Sequence, residues 1–211
     1  MHVLIICAHP EPSSFNAALR NTAAETLKKQ GHDVKISDLY AMKFDPVFKK
    51  EDFRSRTNTR VFNPYPEALH ACETKSFAPD ILSEMEKVRW ADILIFQFPI
   101  WFSSWPAVMK GWIDRVFQAG FAFTFTQMYG GGLLKGKKAI LIVTTGAPEV
   151  VYSKGGPAGD IHMLLQPISH ATCEAAGLEV LPPFIVFNAA AQTEEQGKAE
   201  IERLKKRLTS L

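Results

Sequence analysis

Three stretches of this 211-residue chain carry side chains whose types and spacing could do chemistry. The first, Ala8-His9-Pro10-Glu11-Pro12-Ser13-Ser14-Phe15-Asn16, sets two hydroxyls at the head of a segment of helical period. Ser13 or Ser14 can cap a helix there. The free first-turn N–H groups and positive dipole end of such a helix favour an anion, and His9 can add a donor to a pyrophosphate. The side chains of His9 and Asn16 are expected on an exposed loop end. The same residues equally make an ordinary Ser-capped helix beside a surface histidine. Neither G-x-G-x-x-G nor G-x-x-x-x-G-K-[ST] is present, so a dinucleotide fingerprint and a P-loop both lack support.

The second stretch, Gln97-Phe98-Pro99-Ile100-Trp101-Phe102-Ser103-Ser104-Trp105-Pro106-Ala107, is an aromatic turn punctuated by proline. It could offer a flat apolar wall and backbone N–H groups to a heteroaromatic ring such as an isoalloxazine, or it could bury two tryptophans for packing alone. The third is Thr144-Thr145-Gly146-Ala147, followed by Tyr152-Ser153-Lys154-Gly155-Gly156-Pro157-Ala158-Gly159-Asp160. Its small residues let backbone approach a ring closely, and the Tyr152 phenol could stabilise developing negative charge. A flexible Gly/Pro surface loop is the competing reading. A run of aromatics, Phe117, Phe121, Phe123, Phe125 and Tyr129, either closes the core or roofs a flat ligand across a dimer interface.

Short apolar runs alternate with helical periods, the pattern of a parallel sheet covered on both faces. Strands are expected at Val3 to Ala8, Asp33 to Ser37, Asp92 to Phe98, Lys138 to Thr144 and Glu179 to Val186. Helices are expected at Ser14 to Gln30, Pro79 to Trp90, Trp105 to Phe117, Ile161 to Ala176 and Thr193 to Leu208. Five βα units form one α/β domain over residues 1–211, with a polar excursion at about 38–77 that shows no second hydrophobic period. An open sheet of this kind binds ligands beyond the carboxyl ends of its strands, where the strand order reverses, and all three chemical stretches fall there.

Basic residues number 24 and acidic residues 22, for a net charge of +2, which implies no strong field for nucleic acid or an anionic membrane. Cys7, Cys72 and Cys173 are scattered, without C-x-x-C or zinc spacing, and no metal site is expected. No basic leader or long apolar stretch precedes Val3, so no integral membrane segment and a cytoplasmic location are expected.

Together the three stretches resemble the NAD(P)H:quinone oxidoreductase family of flavodoxin-like proteins, over essentially the whole chain. The most specific block is Gln97 to Phe117, running on into Phe121-Ala122-Phe123-Thr124-Phe125. The resemblance implies FAD rather than FMN, NADH or NADPH as donor, a quinone-like acceptor, two-electron ping-pong transfer, and a homodimer with its site at the subunit boundary. By position, His9, Ser14, Phe15, Asn16 and Ala18 would hold the pyrophosphate region. Pro99, Ile100, Trp101, Phe102, Thr144, Thr145, Gly146 and Ala147 would line the flavin. Asn63 would reach the partner's FAD, Phe102, Phe123 and Phe125 would face substrate, and Tyr152 matches the active-site tyrosine. Two departures stand out: Ala158 occupies the place of a histidine in mammalian members, and Phe123 and Phe125 replace tyrosines. Proton supply then falls to Tyr152 or water. Some small family members also resemble a different role, a regulatory flavoprotein bound to a membrane transport protein.

Overall fold

A computed structural model describes residues Met1–Leu211. Four parallel strands, β1 (His2–Cys7), β2 (Asp33–Asp38), β3 (Ile93–Pro99) and β4 (Lys138–Thr144), lie in the order β2-β1-β3-β4. Every residue of β3 is buried, as a strand covered on both faces must be. The chain steps from β1 outward to β2 and then returns to the other side of β1 to lay down β3. The reversal falls between β1 and β3, where Cys7 pairs with Gln97, and Pro99 pairs with Thr144 one strand further on.

Alternate strand residues point to opposite faces, which gives two cores. Val3, Ile5, Ile93 and Ile95 pack under α1 (Phe15–Lys29) and α6 (Glu194–Thr209). Leu4, Ile6, Leu94, Phe96 and Phe98 pack under α3 (Pro79–Trp90), α4 (Ala107–Val116) and α5 (Ile161–Ile168). The fully buried Trp112 of α4 donates its indole N–H to Glu84 of α3 at 2.8 Å, so the bulkiest core side chain leaves no orphan donor.

Three expectations are corrected. The run from Glu179 to Val186 is not one strand: β5 (Glu179–Val180) and β6 (Phe184–Val186) both pair with β4 and are separated by Leu181-Pro182-Pro183. Two consecutive residues without N–H groups cannot continue the ladder. The helix expected to reach Ala176 ends at Ile168 and passes into a π-helical turn, Ser169–Glu174, after Pro167 removes one donor. The excursion holds a helix, α2 (Pro64–Thr74), whose buried face is Glu67, Ala68 and Ala71, too small and too polar to give an apolar period. Arg115 of α4 fastens the excursion by pairing with Asp52 through Nη2 at 2.8 Å and Nε at 3.1 Å, both side chains being buried.

Candidate active site

The three stretches converge on one cleft at the carboxyl edge of β1, β3 and β4. It measures about 790 Å³ and is lined by His9, Ser14, Phe15, Asn16, Pro99, Ile100, Trp101, Phe102, Thr144, Thr145, Gly146, Ala147 and Tyr152, with Ala189 and Ala190. Each wall has a local cause. Ser14 caps α1, its Oγ accepting the N–H of Ala17 at 3.2 Å, and it is Ser14 rather than Ser13 that does so. The N–H groups of Phe15 and Asn16 make no hydrogen bond within the chain, which leaves them to an anion at the helix head. Ser13 instead gives its N–H and hydroxyl to the Glu11 carboxylate, at 2.8 and 2.5 Å, and these bonds hold that carboxyl below its usual range. His9 Nδ1 lies 3.1 Å from the Glu11 N–H and 3.3 Å from the Glu11 carbonyl oxygen, so the loop ties down that ring nitrogen and leaves Nε2 without a partner in the chain.

Asn16 differs from expectation. It is not on an exposed loop end but buried, bridging Gln97 of β3, whose Nε2 donates to Asn16 Oδ1 at 2.6 Å, and Thr144 of β4, whose Oγ1 accepts from Asn16 Nδ2 at 3.0 Å. Truncating it would unsettle the fold as well as the cleft. His9 remains a half-buried surface side chain, 6.2 Å from Trp101 between ring centroids.

Phe102 and Ser103 form the tip of a tight turn closed by reciprocal bonds between Trp101 and Ser104. Phe102 and Ser103 both have positive φ, 48° and 59°, and Phe102 is fully exposed. Opposite, Thr145 N–H donates to Val186 at 2.9 Å and its hydroxyl to Ala147 at 2.7 Å, which fixes the Gly146 turn. Tyr152 ends a 3₁₀ turn, half-buried against Phe187, and its hydroxyl has no partner in the chain. The loop beyond can fold back only because residue 156 is glycine: a Cβ there would lie 2.5 Å from the Val150 carbonyl oxygen.

Four expected residues lie outside the cleft. Ala18 is exposed on the first turn of α1 with its N–H already given to Ser14. Asn63 is exposed at the head of α2, next to Pro64 and Tyr65. Phe123 and Phe125 line, with Pro64, Tyr65, Ile113 and Met128, a separate apolar groove of about 570 Å³. The aromatic run therefore divides, Phe117 and Phe121 closing the core while Phe125 and Tyr129 stay exposed. The sequence reading missed Ala189 and Ala190, which follow β6; applying the carboxyl-edge rule to the last strand would have found them. A second groove, about 560 Å³, shares Phe15 and Ala189 with the cleft and is lined beyond them by Gln192, Thr193, Gly197 and Lys198.

The family described as having a flavodoxin-like fold matches residues 1–208. The human protein named ribosyldihydronicotinamide dehydrogenase [quinone] is 43% identical over 210 residues, 99% of this chain and 91% of its own length. The guinea pig (Cavia porcellus) NAD(P)H dehydrogenase [quinone] 1 is 40% identical, over 99% of this chain and 76% of its own length. Among solved structures, a candidate quinone reductase from Klebsiella pneumoniae superposes with a TM-score of 0.95 at 39% identity, covering 100% of this chain and 84% of that one. With its cleft at the strand reversal and these relatives spanning nearly all of it, the chain belongs to the NAD(P)H:quinone oxidoreductase family of flavodoxin-like proteins.

Proposed function

We propose that this chain is a flavin-dependent NAD(P)H:quinone oxidoreductase, one domain over residues 1–211 that holds FAD and works as a cytoplasmic homodimer. The observation that carries the choice of FAD is a second groove that shares Phe15 and Ala189 with the cleft. FMN would fill the first compartment and end at the head of α1, whereas a dinucleotide has an adenosine to place in the second. The free N–H groups of Phe15 and Asn16 and the unpartnered Nε2 of His9 fit the pyrophosphate between them.

When bound, the flavin supplies two-electron chemistry between a reduced nicotinamide and a quinone. The chain's share is placement and electrostatics. The Trp101–Phe102 turn and the small residues Gly146 and Ala147 bound the ring's space from two sides, and Tyr152 brings a phenol to the lining of a cleft whose only other ionisable lining group is His9. Ala158, the residue at the family histidine's place, cannot donate, so Tyr152 carries that duty alone or with water. The groove beside Phe123 and Phe125 fits a second subunit, which would bring those rings to its partner's acceptor.

A second reading of the donor has support of its own. No lysine or arginine lines the cleft, so nothing there grips the phosphates of a dinucleotide donor, and the human relative is named for ribosyldihydronicotinamide. Dihydronicotinamide riboside is then a donor to compare with NADH and NADPH. None of the relatives named above is described as a transport-protein partner, and the regulatory alternative has no support. No helix is long and apolar enough to cross a membrane.

The deciding experiment is the visible absorbance spectrum of the purified protein, mass analysis of the released flavin, and quinone-dependent oxidation of each donor. A flavin spectrum, released FAD and ping-pong kinetics are expected. A colourless protein that cannot be reconstituted with any flavin would overturn the reading.

A further inference from the structure

Resting on the flavin reading of the cleft, we infer that Gln97 is a positioning residue that decides which end of the Asn16 amide faces the bound cofactor. Gln97 sits near the carboxyl end of β3, 1% exposed, and its backbone carbonyl accepts the N–H of Ala8, which fixes it against the start of the first loop. Its Nε2 donates to Asn16 Oδ1 at 2.6 Å, and Asn16 Nδ2 donates to Thr144 Oγ1 at 3.0 Å. An amide nitrogen carries two hydrogens, and within the chain only one is taken. Asn16 is 5% exposed and lines the cleft, so the spare N–H is a donor available to phosphate or carbonyl oxygen there. The reversed amide would offer a carbonyl oxygen to the same anion and repel it. Thr144 Oγ1 accepts from Asn16 Nδ2 and also lies 3.3 Å from Asn16 Oδ1, so it suits either orientation of that amide; Gln97, which presents Nε2 here, suits only this one.

Gln97→Glu tests this with almost no change of shape. As a neutral acid the new side chain still donates to Asn16 Oδ1, but as a carboxylate it only accepts, and the Asn16 amide must turn round. The measurement is FAD affinity of the deflavinated protein, by quenching of flavin fluorescence, across a pH range from mildly acidic to mildly alkaline. Cys7, His9, Glu11, Arg20, Asp38 and Tyr40 line a pocket with Gln97 and β4 contributes no ionisable group there. All six are unchanged in the variant, so the ratio of its dissociation constant to that of the unsubstituted protein reports residue 97. That ratio should lie near one at low pH and rise by about tenfold or more at high pH, the scale of one lost hydrogen bond. Gln97→Met, of similar volume without a donor, should weaken binding at every pH. A ratio that stays near one at high pH, or normal FAD affinity in Gln97→Met, overturns the inference; the second variant decides alone if the first fails to fold. Failure of the unsubstituted protein to bind FAD would instead overturn the flavin reading itself.

Discussion

Phe125 lies face to face on Tyr65, ring centroids 3.8 Å apart and planes 11° from parallel, and the Tyr65 hydroxyl accepts the N–H of Phe125 at 3.1 Å. A ring that is 72% exposed is thus held through both its face and its backbone. Such a fixed apolar plate, beside a groove of about 570 Å³, suits a flat partner that the monomer does not supply. Light scattering should report twice the 23.5 kDa chain mass. Phe125→Ala should raise the quinone KM several-fold with kcat and flavin content little changed. A fully active monomer would refute the shared site.

Phe102 pairs complete exposure with left-handed backbone, φ 48°, a conformation that costs a side-chain-bearing residue about 1–2 kcal/mol. Phe102→Gly should therefore leave the fold as stable or more stable by about 0.5–1 kcal/mol in urea unfolding, after glycine's greater unfolded-state freedom is allowed for. Quinone kcat/KM should fall at the same time. Wild-type kcat/KM in this variant would show that the exposed ring serves nothing in turnover.

The parallel sheet and the three converging loops were legible in the sequence because each rests on local signals: Val/Ile runs, a serine before an apolar period, prolines and glycines at the strand ends. Lys138 to Thr144 and Pro79 to Trp90 fall at the expected bounds for that reason. What was hidden depends on contacts across the chain. The burial of Asn16 follows from Gln97 and Thr144, 81 and 128 residues away, and no window around Asn16 contains either. Helix α2 escaped notice because alanines and a buried Glu67 form its inner face. The separation of Phe123 and Phe125 from the cleft was invisible for another reason, since their spacing is the same whether they meet a ligand in this subunit or in a neighbour.

Gly197 lies within α6, where glycine costs about 1 kcal/mol relative to alanine, and it borders the second groove. A Cβ there would meet the Phe15 ring at 3.5 Å, an ordinary contact, so larger side chains would extend into the groove without disturbing the helix. Gly197→Leu should weaken FAD binding at least about tenfold, spare FMN binding, and raise the unfolding midpoint. Equal loss for both flavins would place the adenosine elsewhere.

Burial pushes the Cys7 thiol up to about 12, with Asp38 adding to the effect, and burial does the same for Cys173. Both thiols are then neutral in the folded protein at mildly alkaline pH, and thiol reagents should label neither until the chain unfolds. An acid whose pKa is raised by folding keeps its proton in the folded state after the unfolded chain has lost it. Stability should therefore decline as pH rises above about 9, by up to about 1.4 kcal/mol per pH unit for each thiol. Urea midpoints measured under reducing conditions, in the protein and in Cys7→Ala, should show the slope lessened in the variant; an identical slope would assign it to other groups.

Tyr152 is the one phenol in the cleft, its hydroxyl has no partner within the chain, and Ala158 stands where a second donor could have been. A donor held ready at the place where charge develops needs no reorganisation during the reaction, and removal of one such donor costs about 10²–10³ in rate where it is fully used. Tyr152→Phe keeps the ring against Phe187 and removes only the hydroxyl, so flavin content and fold should stay near normal. Hydride transfer from a nicotinamide requires little proton management, whereas a quinone gaining two electrons must also gain protons. The deficit should therefore fall on the second half-reaction, seen by stopped-flow mixing of pre-reduced enzyme with quinone, while reduction by the nicotinamide keeps most of its rate. Parallel lines in double-reciprocal plots should survive the change, because the order of substrate entry does not depend on the hydroxyl. A quinone half-reaction at the unsubstituted rate would remove Tyr152 from the chemistry and leave water as the proton source.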